Sequence, residues 1–372
     1  MFDLGKFAID RIATFSDIHF GRSKDSREKI GSCTGFIDWF LKDIASRNID
    51  AIVFCGDWFD NRNAISVETL NVAYDQIKRM SGELPLFLIV GNHDSNLNTT
   101  IDVNSLKPFN EIDDVYVIAE TSTMETADDR KVLLFPWNGI VDHDMKITGD
   151  FAFGHFAFEG AALVGDVDHS PTTQEMILTT APLVFSGHYH VRKEYPGTRG
   201  KIISVGSPFE LDWGDSQNDK GYYILDTRSR QYEFIPNTVS PRHFRVNLSD
   251  LSETPEMLDM LEVEGNYLKL VIDEKYDFVK VSDIMQSINR KCPKKPCDID
   301  YNHAVSPESS ASPEASGSNA PRSDISMTNL EYILKYIESD MKDSDFDENV
   351  DRKFVKELAE RHYRNAEGTV DE

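Results

Sequence analysis

The stretch AIVFCGDWFD, residues 51–60, decides the reading of this chain. Its first five residues are apolar, bounded by glycine and too few for a helix, so they read as a buried strand. The chain then turns at Gly56 and sets two carboxylates, Asp57 and Asp60, just past the strand's end. The same pattern recurs outward in both directions. Apolar run 12–15 leads to Asp17-Ile18-His19, run 86–90 to Gly91-Asn92-His93-Asp94, run 151–153 to Gly154-His155, and run 183–185 to Gly187-His188-Tyr189-His190. Runs 132–135 and 202–205 have the same texture without such an ending.

Shared position gives these segments their meaning. In open α/β sheets, ligands gather outside the carboxyl ends of the strands, so residues distant in sequence converge there. Carboxylate, imidazole and amide oxygen suit Mn, Fe or Zn, and the lack of cysteine argues against a soft thiolate site. In Asp17-x-His19 and His188-x-His190, alternate residues of an extended turn point the same way and can reach one ion. A glycine precedes Asp57, Asn92, His155 and His188, where close backbone approach requires a missing Cβ. Singly, each piece reads as a turn or a satisfied histidine; five in series read as a metal centre.

Between the runs, Ile37, Phe40, Leu41 and Ile44 have helical spacing, as do Val67, Leu70, Tyr74 and Ile77. Strand and helix therefore alternate, which predicts a layered α/β domain over residues 1–240. The texture then changes to a small α+β module over 241–302, with strands near 244–248 and 267–272 and helices near 255–261 and 282–289. Residues 303–326 hold too much Ser, Pro and Gly to bury a core and read as a flexible linker. The tail, 327–366, carries two apolar stripes: Leu330, Ile333, Leu334 and Ile337, then Phe354, Val355, Leu358 and Tyr363. Such helices either fold back or dock into a partner's groove.

Charge bounds the partners. A net −25 over 372 residues opposes autonomous grip on a phosphate backbone, because that grip comes from Lys and Arg releasing counterions. If DNA is the substrate, a partner helps to hold it. Cys33, Cys55, Cys292 and Cys297 are too sparse for a disulfide framework and read as free thiols of a reducing compartment. No run approaches the length of a membrane span, so a soluble, cytoplasmic protein is expected.

The ordered segments resemble the calcineurin-like metallophosphoesterases, whose signature is D-x-H, G-D-x-x-D, G-N-H-D/E, a later G-H and a final G-H-x-H. The likeness covers residues 9–226, and segments 205–226 and 232–237 resemble most the SbcD-type nucleases and the equivalent phage recombination endonuclease subunit. The resemblance implies a β-sandwich flanked by helices, with a small α+β capping domain and C-terminal helices. It gives one ion Asp17, His19 and His190 and the other Asn92, His155 and His188, with Asp57 bridging. Two divalent ions, Mn2+ by that likeness and about 3.5 to 4 Å apart, generate a bridging hydroxide that attacks phosphorus. His93 then stabilises the transition state or protonates the leaving oxygen, and Asp60 orients it. Asp94 reads equally as a functional group or a turn cap.

The function implied is a Mn-dependent DNA exonuclease and endonuclease, subunit of a recombination and repair complex. It also implies a homodimer and an SbcC-type coiled-coil ATPase gripped by the tail helices. The alternative on the same scaffold is a cyclic-nucleotide phosphodiesterase or a phosphatase. Against the phosphatase, no Asp-Arg-Gly follows residues 56–61, and Asp94 stands where Glu is expected. Candidate DNA contacts are Arg62, Arg242, His243 and Arg245, with Lys294 and Lys295 in the one compact basic cluster, 290–295. Trp58, Phe59, Phe156, Phe158, Phe209 and Trp213 lie near the motifs and either stack on bases or pack the core.

Overall fold

The computed structural model describes residues 2–301, apart from 98–99, 138, 140–146, 164–165, 217, 275 and 277, together with 353 and 356. The expected linker lies outside these residues, and so do the expected tail helices except for Lys353 and Lys356. No described helix is long and apolar enough to cross a membrane.

Two sheets face each other across a shared core. The first runs in the order Gln231–Pro236, Gly221–Asp226, Arg11–Phe15, Ala51–Phe54, Leu86–Ile89, Val115–Ile118, with the last four strands parallel. The second runs Phe2–Lys6, Ser122–Glu125, Lys131–Phe135, Phe151–His155, Leu183–Gly187, Lys201–Ser204, Lys193–Pro196, with the third to sixth parallel. Alternation along each strand divides the core. Ala51, Val53 and Cys55 point between the sheets with Val132, Leu134, Phe153 and Phe185, whereas Ile52 and Phe54 point out toward Phe36, Ile37 and Phe40. Because both faces are covered, the strands read as unbroken apolar runs.

Helix Arg27–Ile44 lays Phe36, Ile37, Phe40 and Ile44 on the first sheet, as its spacing predicts. Helix Val67–Ser81, capped by the Ser66 hydroxyl on the Thr69 N–H, departs from expectation. It buries Thr69, Ala73, Ile77 and Met80, while Val67, Leu70 and Tyr74 are 75%, 42% and 41% exposed. Small Thr69 and Ala73 let this helix approach the core closely, so most of its larger apolar stripe faces outward. A short helix, Gln174–Leu178, covers the outer face of the second sheet together with Phe156, Phe158, Tyr189 and Tyr195.

The small module has its own three-stranded parallel sheet, His243–Asn247, Tyr267–Ile272 and Asp298–Tyr301. The third strand was not expected, because Asp298-Ile-Asp-Tyr301 offers one aliphatic residue between two carboxylates. The helix expected over 255–261 is the short Met257–Met260, and an unexpected helix, Leu248–Glu253, precedes it. A separate core forms around Val246, Leu268, Leu270, Ile272, Val281 and Ile288.

A polar and aromatic junction fastens this module to the sandwich. His243 is 5% exposed; its backbone N–H and Nδ1 both meet the Glu210 carboxylate, and its ring stacks on Tyr267 at 4.4 Å. The Tyr267 hydroxyl donates to Glu28, which also pairs with Lys295 at 2.9 Å. Arg245 donates to the Trp213 carbonyl at 3.3 Å. Burial thus corrects the expectation of a phosphate contact at His243, whereas Lys295, 55% exposed, is engaged by Glu28 and not enclosed. One is walled in and the other is paired, since charge in the sequence does not tell which side a module will present to its neighbour. His243→Ala removes the stack and the ring's contact with a buried carboxylate that keeps its backbone N–H partner, at a cost of about 2 kcal/mol. Thermal unfolding checks this, and an unchanged Tm would mean that the junction does not depend on His243.

Candidate metal centre

The five chemistry-bearing segments lie at one end of the sandwich, three following strands of the first sheet and two following strands of the second. Residues 17–20 and 56–60 are zipped together: Asp17 N–H donates to Gly56, His19 N–H to Asp57, Phe20 N–H to Trp58, and Asp60 N–H back to Phe20. This ladder carries the first two motifs past their strands as one unit.

The donor atoms converge. Those of Asp17, His19 and His190 lie within 4.8 Å of one another, as do those of Asp57, His155 and His188, and those of His19, Asp57 and His93. Nε2 of His19 and of His190 are 3.1 Å apart, and Asn92 Oδ1 lies 2.9 Å from His155 Nε2 and 3.0 Å from His188 Nδ1. Asp57 Oδ2 lies 3.4 Å from His155 Nε2 and 3.8 Å from His19 Nε2, central to both groups. Such crowding of buried lone pairs is unfavourable without protons or cations among them, and the donor set suits two hard-to-borderline divalent ions. The seven expected ligands are therefore brought together.

Close approach explains the glycines. A Cβ on Gly91 would lie 2.1 Å from Asp57 Oδ1, and one on Gly187 would lie 2.0 Å from Ser16 Oγ. Gly56 alone of the four has a left-handed φ, +94°, and its Cβ would stand 2.3 Å from His155 Nδ1. Four donor residues take that conformation without being glycine: Asp17, His19, Asp57 and His188, at φ of 55°, 52°, 64° and 88°. Each costs on the order of 1 kcal/mol, the kind of strain that persists where surrounding structure over-determines a site.

Second contacts set the donors' directions. Cys55 carbonyl accepts from His155 Nδ1 at 2.7 Å, which leaves Nε2 as the ligand atom. The Asp60 main-chain carbonyl accepts from His93 Nδ1 at 2.6 Å, while the Asp60 carboxylate accepts from Arg22 Nη1 at 3.3 Å and faces His19 Nδ1 at 3.5 Å. The expected orienting role of Asp60 is thus exerted through its backbone, because the tight turn points its side chain away. Asp94, 1% exposed, is a cap: it accepts the N–H groups of Asp57, Trp58, Phe59 and Gly91 at 2.9–3.0 Å.

Burial disfavours the Asp57 carboxylate, yet His155 and His19 outweigh burial and hold its pKa below the usual range. Burial also disfavours the His155 imidazolium, and Asp57 overrides it, pushing His155 up to about 9. His188 is lowered to about 3 by burial and by His155. A cation at this point must displace the His155 proton, so metal affinity rises with pH across the neutral range.

Of the expected base-stacking aromatics, Trp58, Phe59, Phe156, Phe158 and Phe209 are core residues, and Trp213 is half-buried at the junction. Trp137 went unforeseen. It is half-buried, with its ring 4.9 Å from His188 and 5.8 Å from His155, and its one signal was its place after strand Lys131–Phe135. Arg22, joined to Asp60 and Asp212, had no signal beyond its charge. Among the expected DNA contacts, Arg62 is half-buried, and Arg242 and Lys294 are exposed. Gly91→Ala should force Asp57 out of place and lower manganese affinity at least about tenfold by titration calorimetry; retained affinity would show slack in this loop.

Residues 10–192 match the family described as Calcineurin-like phosphoesterase. The chain is 25% identical over 274 residues to Exonuclease subunit 1 of Enterobacteria phage T4, covering 70% of this chain and 79% of that protein. It is 32% identical over 96 residues to the SbcD component of the nuclease SbcCD of Escherichia coli, covering 25% and 24%. With the DNA double-strand break repair protein Mre11 of Methanosarcina acetivorans it shares 33% over 93 residues, covering 24% and 15%. Both latter alignments thus span about a quarter of the relative or less. The chain therefore carries, over residues 10–192, a calcineurin-like phosphoesterase domain.

Proposed function

We propose that this chain is a manganese-dependent DNA nuclease, with exonuclease and endonuclease action, serving as one subunit of a recombination and repair complex. The observation that carries the reading is the convergence of Asp17, His19, Asp57, Asn92, His155, His188 and His190 beside His93. The similarity to a phage exonuclease subunit is longer than the phosphoesterase domain itself and supports a polynucleotide substrate.

In this reading Asp17, His19 and His190 hold one ion, Asn92, His155 and His188 the other, and Asp57 both. When bound, such a pair supplies Lewis acidity and charge neutralisation at a phosphodiester. The protein's own contribution centres on His93. With Nδ1–H anchored on the Asp60 carbonyl, the ring has one orientation, and Nε2 carries the mobile proton to the leaving oxygen. His93 stands edge-on to the His19 ring at 4.8 Å, next to the cluster. Arg62, Arg242 and Lys294 are the proposed phosphate contacts. The net charge of −25 supports a reading in which a partner supplies most of the grip on DNA, an SbcC-type coiled-coil ATPase engaged by residues 327–366, in the cytoplasm, that of the host for a viral protein.

The test pairs end-labelled duplex DNA with bis-p-nitrophenyl phosphate in manganese. The wild type should cut both, and His93→Ala should lose about a hundredfold in rate or more while still binding manganese. Hydrolysis of the small ester without DNA cleavage, even with a candidate ATPase added, would reassign the chain to the cyclic-nucleotide phosphodiesterases or phosphatases.

The reading includes a homodimer. Val67, Leu70 and Tyr74 form an outward apolar stripe on their helix, the kind of surface that association covers. Leu70→Glu is expected to halve the mass seen by light scattering after size exclusion; an unaltered mass would remove this helix from the interface.

A further inference from the structure

His190 is the least enclosed of the histidines in the centre's first donor group: its side chain is 27% exposed, against 1% for His19. It lies beyond strand Leu183–Gly187, where no sheet ladder holds it. Its support comes from elsewhere. The His190 carbonyl accepts from Ser207 N–H at 3.1 Å and from Lys220 Nζ at 2.6 Å. Its ring Nδ1 faces Asp215 Oδ2 at 4.0 Å, while Nε2 is turned to His19.

Lys220 and Asp215 form a buried pair, 3.1 Å apart with side chains 6% and 2% exposed. The ammonium has three acceptors for its three protons: Asp215 Oδ1, the Ser207 hydroxyl at 2.8 Å and the His190 carbonyl. Asp215 also accepts the Leu211 N–H at 3.0 Å. Gly206, at φ +78°, brings this segment so near that a Cβ would stand 3.0 Å from the His190 carbonyl. A buried ion pair contributes little net stability compared with apolar residues of equal volume. Packing alone therefore does not account for one placed against both the backbone and the ring of a candidate ligand.

We infer that Lys220 and Asp215 are positioning residues that hold His190 by its carbonyl and by its Nδ1 face, so that its Nε2 lone pair is directed to the ion shared with Asp17 and His19. The inference rests on the ligand assignment proposed above. Outer carboxylates hydrogen-bonded to a ligating histidine fix its tautomer and strengthen it as a donor, and Asp215 Oδ2 stands 4.0 Å from Nδ1, a short side-chain shift from that contact. Lys220 in turn fixes the carboxylate and neutralises its charge.

The test uses the full chain and manganese alone. Titration calorimetry should show two ions for the wild type. Asp215→Asn and Lys220→Met should each weaken one of the two by roughly ten- to a hundredfold and leave the other unchanged. Variants that bind both ions with wild-type affinity overturn the inference, whereas a wild type that binds no manganese removes the ligand assignment and the inference together. Imidazole nitrogen NMR of the metal-free wild type, with His190→Gln for assignment, is independent of how the variants fold. Nδ1–H on His190 is the expected tautomer, and Nε2–H overturns the proposal.

Discussion

The placement of one carboxylate, Asp57, constrains everything around it. Its Oδ1 accepts the His93 N–H at 2.8 Å, its Oδ2 faces His19 and His155, and Asp94 accepts its own N–H. Gly91 leaves it room that no other residue would. Four separate stretches of chain therefore meet at a group that is 2% exposed. Burying a carboxylate there is tolerable only because imidazoles surround it.

Two sheets whose motif-bearing strands run parallel make this meeting possible. Since the strands bearing the motifs end together, five loops from opposite sides of a shared apolar core reach the same place. The core sets the spacing and the loops absorb the misfit. Left-handed backbone at Asp17, His19, Asp57 and His188 is the trace of that misfit, held in place by the 17–20 and 56–60 ladder and by the Asp94 cap. At these four positions the strained backbone sits where donors must point inward, just beyond the strands that carry them.

One segment, residues 206–220, touches both the centre and the small module. Asp215 and Lys220 lie behind His190, Glu210 holds His243, and the Trp213 carbonyl receives Arg245. The junction is polar and aromatic. Its charged groups, including Lys295 on Glu28, fasten two parts of one protein.

By itself the sequence determined the order of apolar strands, the residue types at their ends and the glycines before them, because strand burial and close approach leave local signatures. Joined to the resemblance to the calcineurin-like metallophosphoesterases, that was enough to name Asp17, His19, Asp57, Asn92, His155, His188 and His190 as one group. Tertiary structure decided what depends on direction. Periodicity located a stripe at Val67, Leu70 and Tyr74 without saying that it faces outward, and charge marked His243 and Lys295 without showing that Glu210 and Glu28 would claim them. Asp60 acts through a carbonyl that every residue has, and Lys220 reaches His190 across 30 residues, so neither role leaves a pattern in the chain. Residue type and spacing are written locally; which groups share a pocket is settled only when distant segments pack.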